Sequence, residues 1–209
     1  MKNLPDKTVE RLSQYRRALL VCLADNKMHI FSHELAGLIH ITPVQVRRDI
    51  ILIGYSGTLR KGYDVRELVS LIGKIIDTEE GLRACIVGVG NLGRAIIRYF
   101  KDKRTKLVIT AAFDTNPEKV KCVFSGVRCY PIEQLESVIR EQDISIAILT
   151  VPGEVAASVA ETLEKAGIRG IINYTPTPLN VSEKIYLGEY DMITSLEKAA
   201  YFVKNNRGE

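Results

Sequence analysis

The sequence predicts an α/β chain in two parts, a small helical head followed by a doubly wound parallel sheet with one more helix at its end. Three observations carry this. Short amphipathic helices joined by tight turns fill residues 1–76, and a glycine-rich turn at 88–93 joins a strand to a helix. Beyond it, strands and helices alternate with short links, the pattern of a parallel sheet covered on both faces. The length of 209 residues suits one small and one medium domain, 1–80 and 81–190, with 191–209 as a separate terminal segment.

In the head, Val9, Leu12, Leu19, Leu20 and Leu23 recur on one helical face that ends near Asp25-Asn26-Lys27. Ser32 then stands as an N-cap before Glu34-Leu35-Ala36-Gly37-Leu38-Ile39. After a break at His40-Ile41, Thr42 caps and Pro43 opens a second short helix. The pair reads as a helix-turn-helix. In its second member Val46, Ile50 and Ile53 form one stripe, leaving Gln45, Arg47 and Arg48 near the N-terminal end, where a recognition helix presents its base-reading side chains. Arginine reads guanine edges or holds phosphates and glutamine pairs adenine, so Thr42, Gln45, Arg47 and Arg48 are candidate contacts to double-stranded DNA. The run 54–63 is a glycine-punctuated hairpin with Arg60 and Lys61 at its tip, a candidate wing laid along the backbone or minor groove. The head is thus a winged-helix candidate. Residues 1–76 hold twelve Lys or Arg against seven Asp or Glu, a surplus of five, which favours a polyanionic partner although the whole chain carries only +4.

Val65 to Ile76 reads as a connecting helix, and 77–81 as the boundary. Ala84-Cys85-Ile86-Val87 is a strand running into Gly88-Val89-Gly90-Asn91-Leu92-Gly93 and then into a helix from Arg94 to Phe100. Three glycines in this spacing allow a tight turn, approach of a pyrophosphate to backbone N–H groups, and close packing of helix on strand. The second strand, Leu107 to Phe113, ends at Asp114, 21 positions after Gly93, where a carboxylate accepts hydrogen bonds from ribose hydroxyls and repels a 2′-phosphate. The unit is Rossmann-like and favours NAD over its phosphorylated relative; Lys119 and Lys121, close by, favour the opposite choice. Helix 132–140, strand 144–150, helix 154–166 and strand 170–173 complete the sheet. The loops after two strand ends carry Val151 and Pro152, and Asn173 and Tyr174, which we expect to border the nicotinamide. An amphipathic helix from Leu196 to Val203, with Ala199 and Ala200 on its apolar face, needs a surface to cover it, its own sheet or another.

Composition excludes several classes. With 46% hydrophobic and 26% charged residues there is no low-complexity tract and no run of about 18 apolar residues, and Met1 to Asp6 has no apolar core, so a cytoplasmic protein without a membrane partner is expected. Cys22, Cys85, Cys122 and Cys129 make no metal-binding spacing and read as buried, reduced thiols, with thiol redox sensing as the alternative. No metal is expected.

Taken together, Glu34-Leu35-Ala36, Gln45-Val46-Arg47-Arg48-Asp49, Gly62-Tyr63-Asp64-Val65, Gly90-Asn91-Leu92-Gly93, Ala112-Phe113-Asp114, Val151-Pro152 and Ala166-Gly167-Ile168 leading to Ile172-Asn173-Tyr174 resemble the Rex family of redox-sensing transcriptional repressors, over nearly the whole chain. The resemblance implies a homodimer whose C-terminal helix swaps between the partner's two domains, and a near-palindromic operator released when NADH binds, so that the protein reports the ratio of NADH to NAD+. It further implies that Tyr99 reports on the nicotinamide and that Arg17 with Asp191 couples the cofactor site to the head. The wing departs from the family's Arg-Gly-Val-Gly-Tyr, reading Leu59-Arg60-Lys61-Gly62-Tyr63. Ile53 replaces an aromatic residue and Ser195 a glutamate. The rival reading is a small NAD-dependent oxidoreductase, but no histidine lies beyond position 40 and residues 115–187 are used in completing the sheet, so no catalytic residue is expected.

Overall fold

The computed structural model describes residues 4–78, 80–101 and 106–205. It divides into two compact units, Met1–Glu79 and Glu80–Glu209.

In the first unit, α1 (Asp6–Ala24) packs on α4 (Val65–Ile76), with α2 (Ser32–Leu38) and α3 (Pro43–Leu52) against them. The buried stripe of α1 is Thr8, Leu12, Tyr15, Leu19 and Cys22. Val9 and Leu20, expected on that face, are exposed instead; Tyr15 takes the central position because its hydroxyl finds a buried carboxylate partner. Ser32 is the first residue of α2 rather than its cap, and the Phe31 N–H donates to the Glu34 carboxylate. His40 takes a positive φ of 57°, which turns the chain between α2 and α3. The Thr42 hydroxyl accepts from the Gln45 N–H with Pro43 at the first helical position, and Val46 and Ile50 are buried as expected. Helix α4 begins on the Asp64 cap, where the side chain accepts from Glu67 N–H, and buries Val65, Leu68 and Ile72. It is part of the head's core rather than a connector. Two short strands, β1 (His29–Ile30) and β2 (Tyr63–Asp64), pair antiparallel at the base of the wing.

The second unit holds β3 (Leu82–Val87), β4 (Leu107–Asp114), β5 (Val123–Phe124), β6 (Val127–Pro131), β7 (Ile144–Leu149), β8 (Gly170–Asn173) and β9 (Tyr186–Glu189) in the order β5-β6-β4-β3-β7-β8-β9. All neighbours are parallel except β5 on β6. With the hairpin strand β5 set aside, the parallel strands run 3-2-1-4-5-6 in chain order, the Rossmann arrangement, whose order reverses between β3 and β7. Alternate residues of β3 enter different cores: Cys85 and Val87 pack with α6 (Leu135–Glu141) and α7 (Gly153–Ala166), Ala84 and Ile86 with α5 (Asn91–Phe100).

The two faces are unequally covered. On the α5 side an open groove of about 700 Å³ lies over β7 to β9, lined by Ile146, Ile148, Ile172 and Tyr186. Helix α8 (Met192–Asn205) buries none of its residues, and Met192, Ile193, Leu196, Tyr201, Phe202 and Val203 are all more than half exposed. Its own sheet therefore does not cover it.

Candidate functional site

The glycine turn leaves β3 at the point where strand order reverses. Gly88 adopts φ +94°, and a Cβ there would stand 2.6 Å from the Thr150 carbonyl oxygen. The Thr150 hydroxyl donates to the Gly88 carbonyl at 2.6 Å and the Gly88 N–H donates to Phe113 O at 2.8 Å, so the turn is held from the ends of β7 and β4 together. Gly93 lies on α5 against the turn, where a Cβ would meet Gly88 O at 2.3 Å. Gly90, the residue before α5, is different: a Cβ there meets nothing within 4 Å. Two glycines are required by the protein's own packing, and the third faces open space at a helix N-terminus. Such a terminus offers N–H groups without intrahelical partners and a favourable dipole to an anion.

That space belongs to a cleft of about 680 Å³ in which Gly88 and Gly90, Asp114 with Asn116 and Lys119, and Thr150 with Val151 and Pro152 meet. Asp114 closes the far end of β4. Its carboxylate accepts from Val89 N–H at 2.8 Å, Asn116 N–H at 2.9 Å and the Lys119 ammonium at 2.9 Å. Burial alone would raise its pKa, but these donors hold it below the ordinary carboxylate range. Lys119 thus pairs with Asp114 rather than standing free for a phosphate. The Val89 N–H is likewise committed to that carboxylate. Asn91 accepts from Arg94 through its side chain, and Leu92 is exposed on the first turn of α5.

The other expected cofactor contacts separate into two places. Val151 and Pro152 line the cleft, whereas Tyr99 and Tyr174 line the apolar groove on the α5 side, with Tyr174 stacked on Tyr190 at 5.3 Å. One protomer does not bring Tyr99, Val151 and Pro152 into a single pocket. Asn173 is buried and its amide is engaged at both ends: Oδ1 accepts from Thr175 N–H and hydroxyl, and Nδ2 donates to Thr177 O. It shapes the loop after β8. Asp191 caps α8, accepting from Ile193 N–H at 2.9 Å and from the Thr194 hydroxyl, bonds that lower its pKa. Arg17 lies exposed on α1.

On the head, Arg47 and Arg48 are exposed on α3, with Arg47 Nη1 donating to Ser32 Oγ at 3.1 Å. Gln45 departs from expectation: its Nε2 donates to the Asp49 carboxylate at 3.0 Å. Asp49 is 2% exposed and also receives the Arg11 guanidinium through two bonds of 2.6 and 2.8 Å and the Tyr15 hydroxyl at 2.8 Å. Burial would raise its pKa, yet these three donors lower it, while burial and the same carboxylate push the Tyr15 phenol up. This network fastens α3 to α1. It was missed in the sequence, although a carboxylate at position 49, beside Val46 and Ile50 on the apolar stripe, signals a buried cationic partner. The wing closes through paired bonds between Thr58 and Gly62, both 2.8 Å, and exposes Arg60 and Lys61 at its tip beside a fully exposed Leu59.

Among the described residues no cluster of three or more His, Cys, Asp or Glu could hold a metal, and no helix is long and apolar enough to cross a membrane. Cys22, Cys85 and Cys129 are buried as expected, but Cys122 is exposed, because it lies outside the strand in the turn before β5.

Comparison with known proteins agrees with this architecture. The family model "CoA binding domain" matches residues 79–177, and "Putative DNA-binding protein N-terminus" matches residues 3–50. The chain is 37% identical to the redox-sensing transcriptional repressor Rex of Limosilactobacillus reuteri over 98% of its length and 95% of the relative's. It is 37% identical to Rex of Bacillus licheniformis over 97% and 94%. The crystal structure of RSP, a Rex-family repressor, in complex with NAD+ and operator DNA superposes with a TM-score of 0.91 at 29% identity, covering 99% of this chain and 95% of that one. The RSP complex with NADH gives 0.85 at 28% identity, covering 99% and 97%. Full-length identity at this level, with a winged head and a Rossmann sheet in the same order along the chain, places the protein in the Rex family of redox-sensing transcriptional repressors.

Proposed function

We propose that this protein is a cytoplasmic repressor that binds double-stranded operator DNA as a homodimer and leaves it when NADH occupies the cleft at residues 88–93. The observation that carries the reading is the open space at Gly90, at the N-terminus of α5 and facing the same cleft as the Asp114 carboxylate. A dinucleotide fits these residues: the backbone of Gly90, Asn91 and Leu92 approaches the pyrophosphate, Asp114 meets the ribose hydroxyls, and Val151 and Pro152 flank the rest. Apolar walls favour the neutral reduced nicotinamide over its cationic oxidised form, because a charge without a partner is poorly solvated there.

Arg47, Arg48, Arg60 and Lys61 hold the operator, with Thr42 at the N-terminal end of the reading helix; Gln45 supports that helix through Asp49. Tyr99 and Tyr174 enter the cofactor response through the dimer, in which the exposed face of α8 covers an apolar surface of the partner. Asp191 and Arg17 transmit that response to the head, Asp191 combining this with its capping of α8.

A ligand shifts an equilibrium only through its different affinities for two states, so NADH must favour a dimer geometry in which the two α3 helices no longer match two half-sites. The test is an electrophoretic shift with promoter fragments from the protein's own genome. A fragment should be retarded without ligand, released by micromolar to millimolar NADH, and released only at higher NADPH, whose 2′-phosphate meets Asp114. Retention at saturating NADH would contradict the switch, and equal potency of the two reduced cofactors would contradict the role given to Asp114.

A further inference from the structure

The β5–β6 hairpin carries two cysteines, and its register sets them opposite one another. Val123 pairs with Arg128 and Phe124 with Val127. One step further out, Cys122 opposes Cys129, and the Cys129 N–H donates to Cys122 O at 2.9 Å. The partner bond from Cys129 O goes to Lys121 N–H at 2.9 Å, with Lys121 at φ +72°, so Lys121 and Cys122 together face Cys129 across a bulge. Phe124, Val127 and Cys129 belong to the same apolar cluster, and Cys122 stands exposed beside it. Adjacent strands lie about 4.7–4.9 Å apart, inside the roughly 4.4–6.8 Å between Cα atoms that a disulfide spans. Burial, with the nearby Asp114 and Cys122, pushes the Cys129 thiol up to about 11. The exposed Cys122 is therefore the group that meets an oxidant first.

We propose that Cys122 and Cys129 form a reversible disulfide that modulates the cofactor cleft, a thiol response separate from the cofactor's own redox state. Its co-reactant is a low-molecular-weight disulfide. The Cys122 thiolate attacks one sulfur of that molecule, forming a mixed disulfide and releasing one small thiolate. Cys129 gives its proton to solvent and attacks Cys122 Sγ, breaking the mixed bond and releasing the second small thiolate. Two protein thiols are oxidised, and one small disulfide is reduced to two thiols.

The link to the cleft is short. In the reduced state the Cys122 Sγ donates to Glu118 O at 3.1 Å and the Cys122 N–H to Lys119 O at 3.1 Å. The same turn carries Lys119, which holds Asp114, and Asn116, which donates to it. Drawing Cys122 onto Cys129 removes the Glu118 bond and pulls this turn away from the carboxylate placed on the ribose. Oxidation then weakens NADH binding. This consequence rests on the cofactor reading above, whereas formation of the bond does not.

The full-length protein is equilibrated in defined mixtures of reduced and oxidised glutathione, alkylated, and digested without reduction. Mass spectrometry should find the Cys122 and Cys129 peptides joined with the loss of two hydrogens, reversibly on reduction, and a fluorescence titration of the oxidised protein should give a severalfold weaker NADH dissociation constant. Cys122→Ser should bind NADH as the reduced protein does and ignore the oxidant. Cys129→Ala should stop at a glutathione adduct on Cys122. A native protein that only accumulates that adduct, or links two chains through Cys122, overturns the proposal, as does a disulfide that leaves NADH affinity unchanged. If the reduced protein does not bind NADH at all, the cofactor reading and the effect on affinity fall together, and the peptide crosslink still decides the disulfide.

Discussion

Gly90→Ala is expected to leave the melting temperature of the protein unchanged and to weaken NADH binding by at least about tenfold, or ~1.4 kcal/mol. The added methyl group meets no protein atom within 4 Å and projects into the cleft beside the N-terminus of α5, where a pyrophosphate must approach the backbone. Gly93→Ala should behave in the opposite way. Its Cβ would stand 2.3 Å from Gly88 O, with Thr150 Oγ1 at 3.0 Å and Ile86 Cγ2 at 3.2 Å, so helix and turn must separate at a cost of about 1–3 kcal/mol or more. Thermal unfolding and NADH titration of the two variants distinguish ligand-facing from packing glycines. A Gly90→Ala protein that binds NADH normally would remove the pyrophosphate from this turn.

The second large effect is expected in the head. Asp49→Ala leaves Arg11 without its carboxylate and removes the acceptor of Tyr15 and Gln45. Breaking a buried, hydrogen-bonded ion pair from one side costs about 3 kcal/mol or more, a large share of a small domain's stability. Because α3 carries Arg47 and Arg48, operator binding should be lost while NADH binding by the second unit persists. The pH dependence has a definite sign. The Asp49 pKa is lowered in the folded state, so its contribution is complete above the ordinary carboxylate pKa and disappears as the pH falls through the folded value. Denaturant unfolding across that acidic range should show the native protein losing stability faster than Asp49→Asn. Parallel profiles would mean that the ion pair contributes nothing beyond packing.

Much of this was legible in the sequence because periodicity and turn chemistry are local. Thr42-Pro43 announced the start of α3, and three glycines at fixed spacing announced the cleft. What escaped was set by distant partners. The face of α1 could not be assigned without knowing that Tyr15 would reach a carboxylate 34 positions away. Gln45 was read as a base reader from its position and its chemistry, since nothing local shows that its amide donates to a buried Asp49 one helical turn further on. The hairpin at 123–131 escaped because β5 is only two residues long and shows no period, although its turn, Ser125-Gly126 with both residues at positive φ, is a local hairpin signal. Val151 was expected at the nicotinamide from its place after a strand end and Tyr99 from the family resemblance, yet the two line different cavities of one protomer.

The central claim is a coupling between cleft and operator, and linkage makes it reciprocal. If NADH lowers operator affinity by some factor, the operator must lower NADH affinity by the same factor, a hundredfold corresponding to about 2.7 kcal/mol. NADH fluorescence should therefore be titrated on the full-length dimer alone and on the dimer saturated with a specific operator duplex. The account predicts a weaker dissociation constant on the DNA complex, by the factor measured in the reverse direction. An identical constant with and without operator would contradict it, leaving a DNA-binding protein whose nucleotide site does not control its grip.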